Sequence, residues 1–196
     1  SIDLQNQLIK NKIFEKGKLV FLPDPIIILR DIQKRIEQDN NEKRKFFISV
    51  GRLTKQKNFG YLINEFSKFA QIDLSYDLHI FGEGEEKDKL KKLIIQHKMQ
   101  NRIYLMGYKE NINFFMKKAE ALILSSLWED PGFVLIEATI NNLFLISSDC
   151  KNGPKEILDN GRRGLLFKNN EKNALFNSFE KYFELKKNKK TKPLVI

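Results

Sequence analysis

Short apolar segments alternate with longer, helix-like segments along most of this chain. Strand-like patterning is found at 46–50, 76–81, 102–106, 120–126, 143–147 and 164–167. Helices are predicted at 58–70, 85–98, 110–118, from 133 onward, at 154–158 and at 171–185. Strands that alternate with helices build parallel βαβ units. The sequence therefore predicts an α/β fold, a Rossmann-like doubly wound parallel sheet with helices on both faces.

The alternating pattern divides the chain into three parts. Residues 1–45 are predicted to be a linker-side segment in which one strand, at 18–22, packs on the domain. Residues 46–185 form the Rossmann-like domain, and residues 186–196 form a basic tail. Ligands of such sheets bind at the carboxyl ends of the strands. The informative residues should therefore lie in the loops that connect a strand to the following helix.

Charge and composition restrict the partners and the cellular location expected for the chain. It has 196 residues and a net charge of +10, and five of its lysines lie in the tail. That tail is either a solvated end or attracted to an anionic membrane surface. Nucleic acid is not expected as a partner, because no binding motif accompanies the basic residues. The single cysteine, Cys150, fits a reducing compartment. A cytoplasmic location is expected, with peripheral contact to the inner face of the cytoplasmic membrane left open.

The segment from Glu129 to Glu137 follows an apolar strand and contains the turn residues Pro131 and Gly132. If a helix starts near Gly132, the N–H groups of Gly132, Phe133 and Val134 could bind phosphate oxygens. Glu137 lies among apolar residues, where a charge is costly unless it is satisfied. A bound ribose diol would satisfy it, and so would a core lysine or arginine. Glu129 and the adjacent aspartate also suit a plain helix start.

A basic loop, 51–57, follows the first strand of the domain. It places three cations, Arg52, Lys55 and Lys57, just before a helix N-terminus, where the helix dipole makes positive charge unfavourable. Asn58 is predicted to cap that helix. A bound anion would reverse this unfavourable arrangement, with Arg52 forked on phosphate oxygens. A solvated basic loop is the alternative.

Other motifs are weaker or absent. Gly82 begins a Gly-Glu-Gly turn that does not complete a dinucleotide fingerprint. Tyr108 follows the next strand and lies either beside a nucleobase or on the surface. No Asp-x-Asp pair, zinc spacing or Walker loop is found, so no metal site is expected. His79 and His97 are interpreted as structural.

The order of these motifs resembles the C-terminal, donor-binding half of a GT-B-fold retaining glycosyltransferase of family four, also called group 1. The resemblance covers about two thirds of the chain, from Phe46 to Phe167. Its motifs are Val50-Gly51-Arg52-Leu53 with Lys57, Phe81-Gly82-Glu83-Gly84, Gly107-Tyr108, the Glu129 to Glu137 segment with Ala138, Gly153-Pro154-Lys155-Glu156-Ile157 and Gly164-Leu165-Leu166-Phe167. Each motif is modest by itself, and the ordered set is specific.

The resemblance implies a role for each matching residue. Arg52 and Lys57 would hold the donor diphosphate and stabilise the leaving group, and Glu129 would contact the transferred sugar. Glu137 would bind the ribose hydroxyls. The catalytic residues implied are Glu129, Arg52 and Lys57. The donor-binding residues implied are Gly51, Arg52, Lys57, Gly82, Tyr108, Glu129, Gly132, Phe133, Val134 and Glu137. Transfer would retain the anomeric configuration and would need no metal or cofactor.

The resemblance also implies partners. The donor would be a nucleotide-sugar, with UDP favoured, and the acceptor a glycan or lipid-linked saccharide of bacterial surface polysaccharide or lipopolysaccharide. Pro23-Asp24-Pro25 resembles the segment after an interdomain linker, so we expect an acceptor-binding N-terminal domain to be missing and this chain to be inactive alone. Two alternatives stay open: a non-catalytic basic module that binds membrane or nucleic acid, and a GT-B nucleotide-sugar epimerase.

Overall fold

The computed structural model describes residues 2–11 and 44–188. Its strands are β1 Lys45–Val50, β2 Tyr76–Phe81, β3 Ile103–Gly107, β4 Ala121–Leu124, β5 Phe144–Ser148 and β6 Leu165–Phe167. Its α-helices are α1 Ile2–Lys10, α2 Phe59–Ile72, α3 Lys87–Gln96, α4 Ile112–Lys118, α5 Phe133–Ile140, α6 Pro154–Ile157 and α7 Ala174–Lys187. The predicted strand at 18–22 and the Pro23-Asp24-Pro25 segment lie outside the described residues.

The six strands form one sheet in the order β3-β2-β1-β4-β5-β6, and every neighbouring pair is parallel. The chain therefore adds β2 and β3 on one side of β1. It then crosses back and adds β4, β5 and β6 on the other side. Loops on the two sides of this reversal leave the sheet in opposite directions, which opens a crevice at the carboxyl ends of β1 and β4. The predicted α/β fold is confirmed.

Side chains alternate between the two faces of the sheet, as strand geometry requires. Phe47 faces a core built with α2, α3 and α7, whereas Phe46 and Ile48 face a core built with α4, α5 and α6. Both faces are thus covered by helices. Phe47 lies in an aromatic cluster, with ring centroids of Phe179 at 5.1 Å and Tyr182 at 5.7 Å. The C-terminal helix α7 therefore completes the core around the first strand.

Three predictions about helix ends differ from the structure. In two of them, a residue at the helix start bonds to another loop. The predicted side-chain cap by Asn58 is wrong: Asn58 has a left-handed φ of 52°, and its Nδ2 donates to Asn170 Oδ1 at 3.2 Å. Helix α3 begins at Lys87 rather than at residue 85, since Glu86 N–H donates to Leu53 C=O. Helix α7 continues to Lys187, two residues beyond the predicted end.

Two buried polar groups belong to the sheet rather than to its carboxyl edge. Asp77 in β2 forms an ion pair with Arg102 at 2.9 Å. His79 stacks on Phe46 with ring centroids 4.2 Å apart, and burial lowers the pKa of His79 to about 4. A neutral imidazole inside an apolar layer fits the structural role predicted for this histidine.

Candidate functional site

Two adjoining hollows form a groove along the carboxyl edge of the sheet. One measures about 520 Å³ and the other about 480 Å³, and both are open to solvent. They share Val50, Gly51, Arg52 and Glu137, which form the ridge between them. We name them after one residue each, the Tyr108 lobe and the Glu129 lobe. The Tyr108 lobe also includes Phe81, Gly82, Glu83, Lys109, Glu110 and Ile112. The Glu129 lobe also includes Gln56, Lys57, Asp130, Gly132, Phe133 and Val134.

The floor of the Tyr108 lobe is a tight contact between two loops. Gly82 has a φ of 136°, and a Cβ placed on it would lie 2.0 Å from the Gly51 carbonyl oxygen. Only glycine fits there. A little further along the two loops, Leu53 N–H donates to Glu83 C=O at 2.9 Å. Gly82, predicted to contact a donor, thus also permits the loops after β1 and β2 to pack together.

Tyr108 stands at the outer wall of its lobe. Tyr108 is 72% exposed, although large aromatic residues are mostly buried to a greater degree. Glu83, on the same lobe, is held by Lys87 through an ion pair of 2.8 Å. The exposed ring gives this lobe a flat apolar face on which a planar ligand group can stack.

Glu129 and Lys57 form an ion pair at the bottom of the other lobe. Lys57 Nζ lies 2.6 Å from Glu129 Oε1, and the two side chains are 16% and 5% exposed. Ser126 Oγ donates a hydrogen bond to the same carboxylate oxygen. The sequence predicted both charged residues at this edge, but it did not predict that they pair, because they are separated by 72 positions.

Glu137 has a different environment. It belongs to α5, lines both lobes and is half-buried. Burial raises the pKa of Glu137, and no described lysine or arginine lies within ion-pairing distance of its carboxylate. The sequence alternative of a core cation paired with Glu137 is therefore not found in the described part of the chain. This carboxylate faces the groove with no hydrogen-bond or ion-pair partner among the residues that the structure describes.

Helix α5 points its N-terminus into the Glu129 lobe. Gly132 precedes it with a left-handed φ of 90°, and the first turn closes with Leu135 N–H donating to Gly132 C=O at 3.0 Å. The N–H groups of Phe133 and Val134 come before that bond, so the helix cannot satisfy them. The predicted anion-binding end is thus brought together with Arg52, which is exposed and lines both lobes. Lys55 is exposed and lines neither lobe.

Sequence reasoning missed a group of buried serines beneath this lobe. Ser125 Oγ donates to Lys57 C=O at 2.8 Å, and Ser148 Oγ donates to Ser126 C=O at 2.7 Å. Ser126 and Ser148 have no exposed surface. The available signal was a pair of serines at the end of each of two apolar strands, a place where apolar side chains are expected.

Within 2–11 and 44–188, no cluster of three or more His, Cys, Asp or Glu side chains could hold a metal ion. None of the helices in those ranges is both long enough and apolar enough to cross a membrane.

Fold and groove together define a Rossmann-type domain in which a helix N-terminus, Arg52 and the carboxylates of Glu129 and Glu137 line a groove at the topological reversal of the sheet. Comparison with known proteins gives the family. Residues 31–193 match the sequence profile of glycosyl transferases group 1, and the chain belongs to that family. The resemblance inferred from the motifs is confirmed.

Two relatives illustrate the relation. An uncharacterized glycosyltransferase of Methanocaldococcus jannaschii is 44% identical over 112 residues, which are 57% of this chain and 28% of that protein. The N-acetylgalactosamine-N,N'-diacetylbacillosaminyl-diphospho-undecaprenol 4-alpha-N-acetylgalactosaminyltransferase of Campylobacter jejuni is 32% identical over 158 residues, 81% of this chain and 42% of that protein. This chain thus spans less than half the length of either relative.

Solved structures agree on the fold. A glycosyltransferase from Rickettsia africae superposes with a TM-score of 0.80 at 20% identity, covering 97% of this chain and 54% of that one. The pneumococcal O-GlcNAc transferase GtfA, solved with UDP and GlcNAc, has a TM-score of 0.71 at 21% identity, covering 97% and 38% of the two chains. The predicted GT-B-type domain is confirmed.

Proposed function

We propose that this chain is the donor-binding half of a retaining glycosyltransferase that takes a sugar from a UDP-linked donor. One observation carries the proposal: the Glu137 carboxylate lies between two lobes, on the ridge that also holds Arg52, and no side chain in 2–11 or 44–188 pairs with it. A half-buried carboxylate is costly to leave unsatisfied. Two neighbouring hydroxyl groups of a ribose would satisfy it, and the two lobes would accept what lies on either side of that ribose.

In this proposal the nucleobase occupies the Tyr108 lobe, against the exposed ring. The diphosphate lies over the ridge, where Arg52 forks onto its oxygens and the N–H groups of Phe133 and Val134 face it. The sugar then lies in the Glu129 lobe, where the carboxylate of Glu129 accepts hydrogen bonds from its hydroxyls. Every residue that we propose for the donor lines one of the two lobes.

The proposed chemistry needs charge stabilisation more than proton transfer by the protein. As the bond from the anomeric carbon to the diphosphate breaks, negative charge grows on the departing phosphate. Arg52, Lys57 and the α5 N-terminus are positioned to stabilise that charge. The acceptor hydroxyl would attack from the face that the diphosphate leaves and would pass its proton to the departing phosphate oxygen, so that the anomeric configuration is retained. We propose that no metal is required.

The acceptor and the location are proposed from relatives. The Campylobacter relative is named for transfer to a diphospho-undecaprenol saccharide, and a Staphylococcus aureus relative, 27% identical over 126 residues, for transfer to poly(ribitol-phosphate). Both names describe bacterial surface glycans or their lipid-linked precursors. We propose a glycan or lipid-linked acceptor of that kind for this protein, reached by peripheral contact with the cytoplasmic face of the membrane.

The proposal is tested by titrating the chain with UDP, ADP and GDP in a calorimeter. We expect UDP to bind most tightly and Arg52→Ala to weaken it about tenfold or more, because a charge-assisted contact to phosphate is lost. Glu137→Ala should weaken it by a similar factor. Arg163→Ala and Glu180→Gln alter exposed residues that line neither lobe, and they should leave UDP binding unchanged.

Two results would contradict the proposal. Absence of binding by all three nucleotides is one. The other is binding that ignores Glu137→Ala but disappears at high salt, which would favour a basic module that holds polyanions without a ribose site.

A further inference from the structure

The carboxylate of Glu129 is held through a single oxygen by two donors. Lys57 Nζ and Ser126 Oγ both approach Oε1, and no described residue donates to Oε2. Glu129 is 4% exposed, so its remaining oxygen can be satisfied only from the groove. The arrangement fixes the direction in which Oε2 points.

Once a donor is bound, two anionic groups compete for the ammonium group of Lys57. Its ammonium group is paired with Glu129, yet Lys57 lines the Glu129 lobe next to the ridge over which we place the donor's diphosphate. A phosphate oxygen beside this ammonium would compete with Glu129 for its protons. If Lys57 alone held Glu129, donor binding would loosen the carboxylate that must contact the sugar.

We infer that Ser126 is a positioning residue that keeps Glu129 oriented toward the sugar while Lys57 turns to the diphosphate. The inference rests on the proposed function. Ser126 has no charge and no exposed surface, so a phosphate does not compete for its hydroxyl as it competes for an ammonium group. Its hydrogen bond to Glu129 therefore persists when the donor binds.

Ser126 is itself well fixed. Its carbonyl oxygen accepts the hydroxyl of Ser148 at 2.7 Å, and Ser147 Oγ donates to Ser148 C=O at 3.0 Å. Two residues before Ser126, Leu124 of β4 is in register with Ser147 of β5. A chain of hydrogen bonds thus connects Glu129 to the central sheet, which is the kind of support that keeps a binding group in one geometry.

The test separates sugar binding from nucleotide binding. Calorimetry gives the Kd of UDP and the Kd of the tightest of UDP-glucose, UDP-galactose, UDP-GlcNAc and UDP-GalNAc, and their ratio is the gain in affinity due to the sugar. We expect Ser126→Ala to reduce this gain by about tenfold, or to abolish a smaller one, because a hydrogen bond to a charged group is lost. The Kd of UDP alone should stay within about twofold.

Controls distinguish positioning from a general loss of structure. Ser67→Ala removes a hydroxyl that is equally buried, but this one donates to Ile63 C=O in α2, away from the groove. It should change neither Kd. Ser126→Cys preserves volume while weakening the donor, so it should reproduce Ser126→Ala even if the alanine variant folds poorly. In a Glu129→Ala background, Ser126→Ala should have no further effect, because its partner is gone.

Each other outcome is decisive. An unchanged sugar gain in Ser126→Ala, an equal loss for UDP and UDP-sugar, or additive effects with Glu129→Ala would overturn the inference. If the wild-type chain binds UDP but no sugar adds affinity, the inference fails while the nucleotide site stands. If the wild-type chain binds no UDP, the proposed function fails first.

Discussion

Two glutamates of the groove differ in whether the protein supplies partners for their carboxylates, and the difference indicates their roles. Glu129 receives an ammonium group and a hydroxyl from the protein itself. Glu137 receives neither, and its pKa is raised because burial disfavours the charged form. The protein stabilises one carboxylate in advance and leaves the other to be stabilised by what it binds. Glu137 should therefore reduce the stability of the empty domain.

We predict that Glu137→Gln raises the melting temperature at pH 7 by a few degrees, since an unpaired, half-buried charge is removed. The raised pKa means that the folded state favours the protonated form. The benefit of glutamine should therefore be absent below the ordinary pKa of 4.5, grow as the pH rises toward the raised pKa, and be complete above it. Thermal unfolding of both proteins at pH 4 and pH 7 measures this.

Glu180→Gln is the matched control, because Glu180 is exposed on α7. A stabilisation of the same size in that variant, or one that does not depend on pH, would show that Glu137 carries no burial penalty.

At the scale of elements, helix α7 is held to the start of β4 by a small polar group. Glu120 Oε2 accepts the phenol of Tyr182 at 3.1 Å and the ammonium of Lys186, and its other oxygen lies 3.6 Å from Lys45. Burial would raise the pKa of Glu120, but these partners outweigh it and the pKa is lowered. Lys186, the first residue of the predicted basic tail, thus lies in helix α7 and contacts Glu120.

We predict that Lys186→Ala lowers the free energy of unfolding by about 1 kcal/mol at pH 7, the upper range for a partly exposed ion pair. Because the Glu120 pKa is lowered on folding, its contribution is present above the ordinary pKa of 4.5 and is lost as the pH falls through the lowered value. The effect of Lys186→Ala should therefore shrink by pH 3. Urea unfolding at the two pH values measures it.

Lys187→Ala serves as the neighbouring control, since Lys187 is exposed at the end of the same helix. It should change the free energy of unfolding by less than about 0.5 kcal/mol. Equal effects of the two substitutions would mean that helix propensity or net charge, rather than the Glu120 contact, is responsible.

The elements were largely predictable because each is a local pattern. The apolar run Tyr76–Phe81 predicted both ends of β2 correctly, and Phe133 was correctly predicted to begin α5. The failures occur where a residue bonds to a distant loop. Asn58 bonds to Asn170 instead of capping α2, and Lys57 pairs with Glu129. A single sequence shows which charges occupy the carboxyl edge, but not which of them neutralise one another.

At the scale of the whole molecule, we propose that the groove is one wall of an active site. The chain spans 28% and 42% of two relatives' lengths, and both of its lobes are open to solvent. We propose that a second, acceptor-binding domain faces the groove in the complete enzyme. The domain boundaries predicted at 45 and 185 stay predictions, although β1 begins at Lys45 and α7 ends at Lys187.

We predict that this chain binds nucleotide but transfers no sugar to a lipid-linked or glycan acceptor. The reason is that the described residues supply donor contacts and no second wall to hold an acceptor in line with the anomeric carbon. The measurement is radiolabelled sugar incorporation from UDP-sugar donors into membrane fractions. Turnover by the isolated chain would disprove the need for a second domain.

The aromatic cluster around Phe47 has a consequence for the order of synthesis. Phe47 is in β1, the first strand of the described sheet to be made, whereas Phe179 and Tyr182, which pack on it, belong to α7, the last helix within 44–188. While the ribosome adds the intervening strands, that face of the sheet keeps an open apolar patch, which favours aggregation of nascent chains. We expect a premature stop before α7 to keep every groove residue in the sequence and still yield a product that aggregates, because no α7 residue lines either lobe. The groove should therefore depend on a helix that does not contact it.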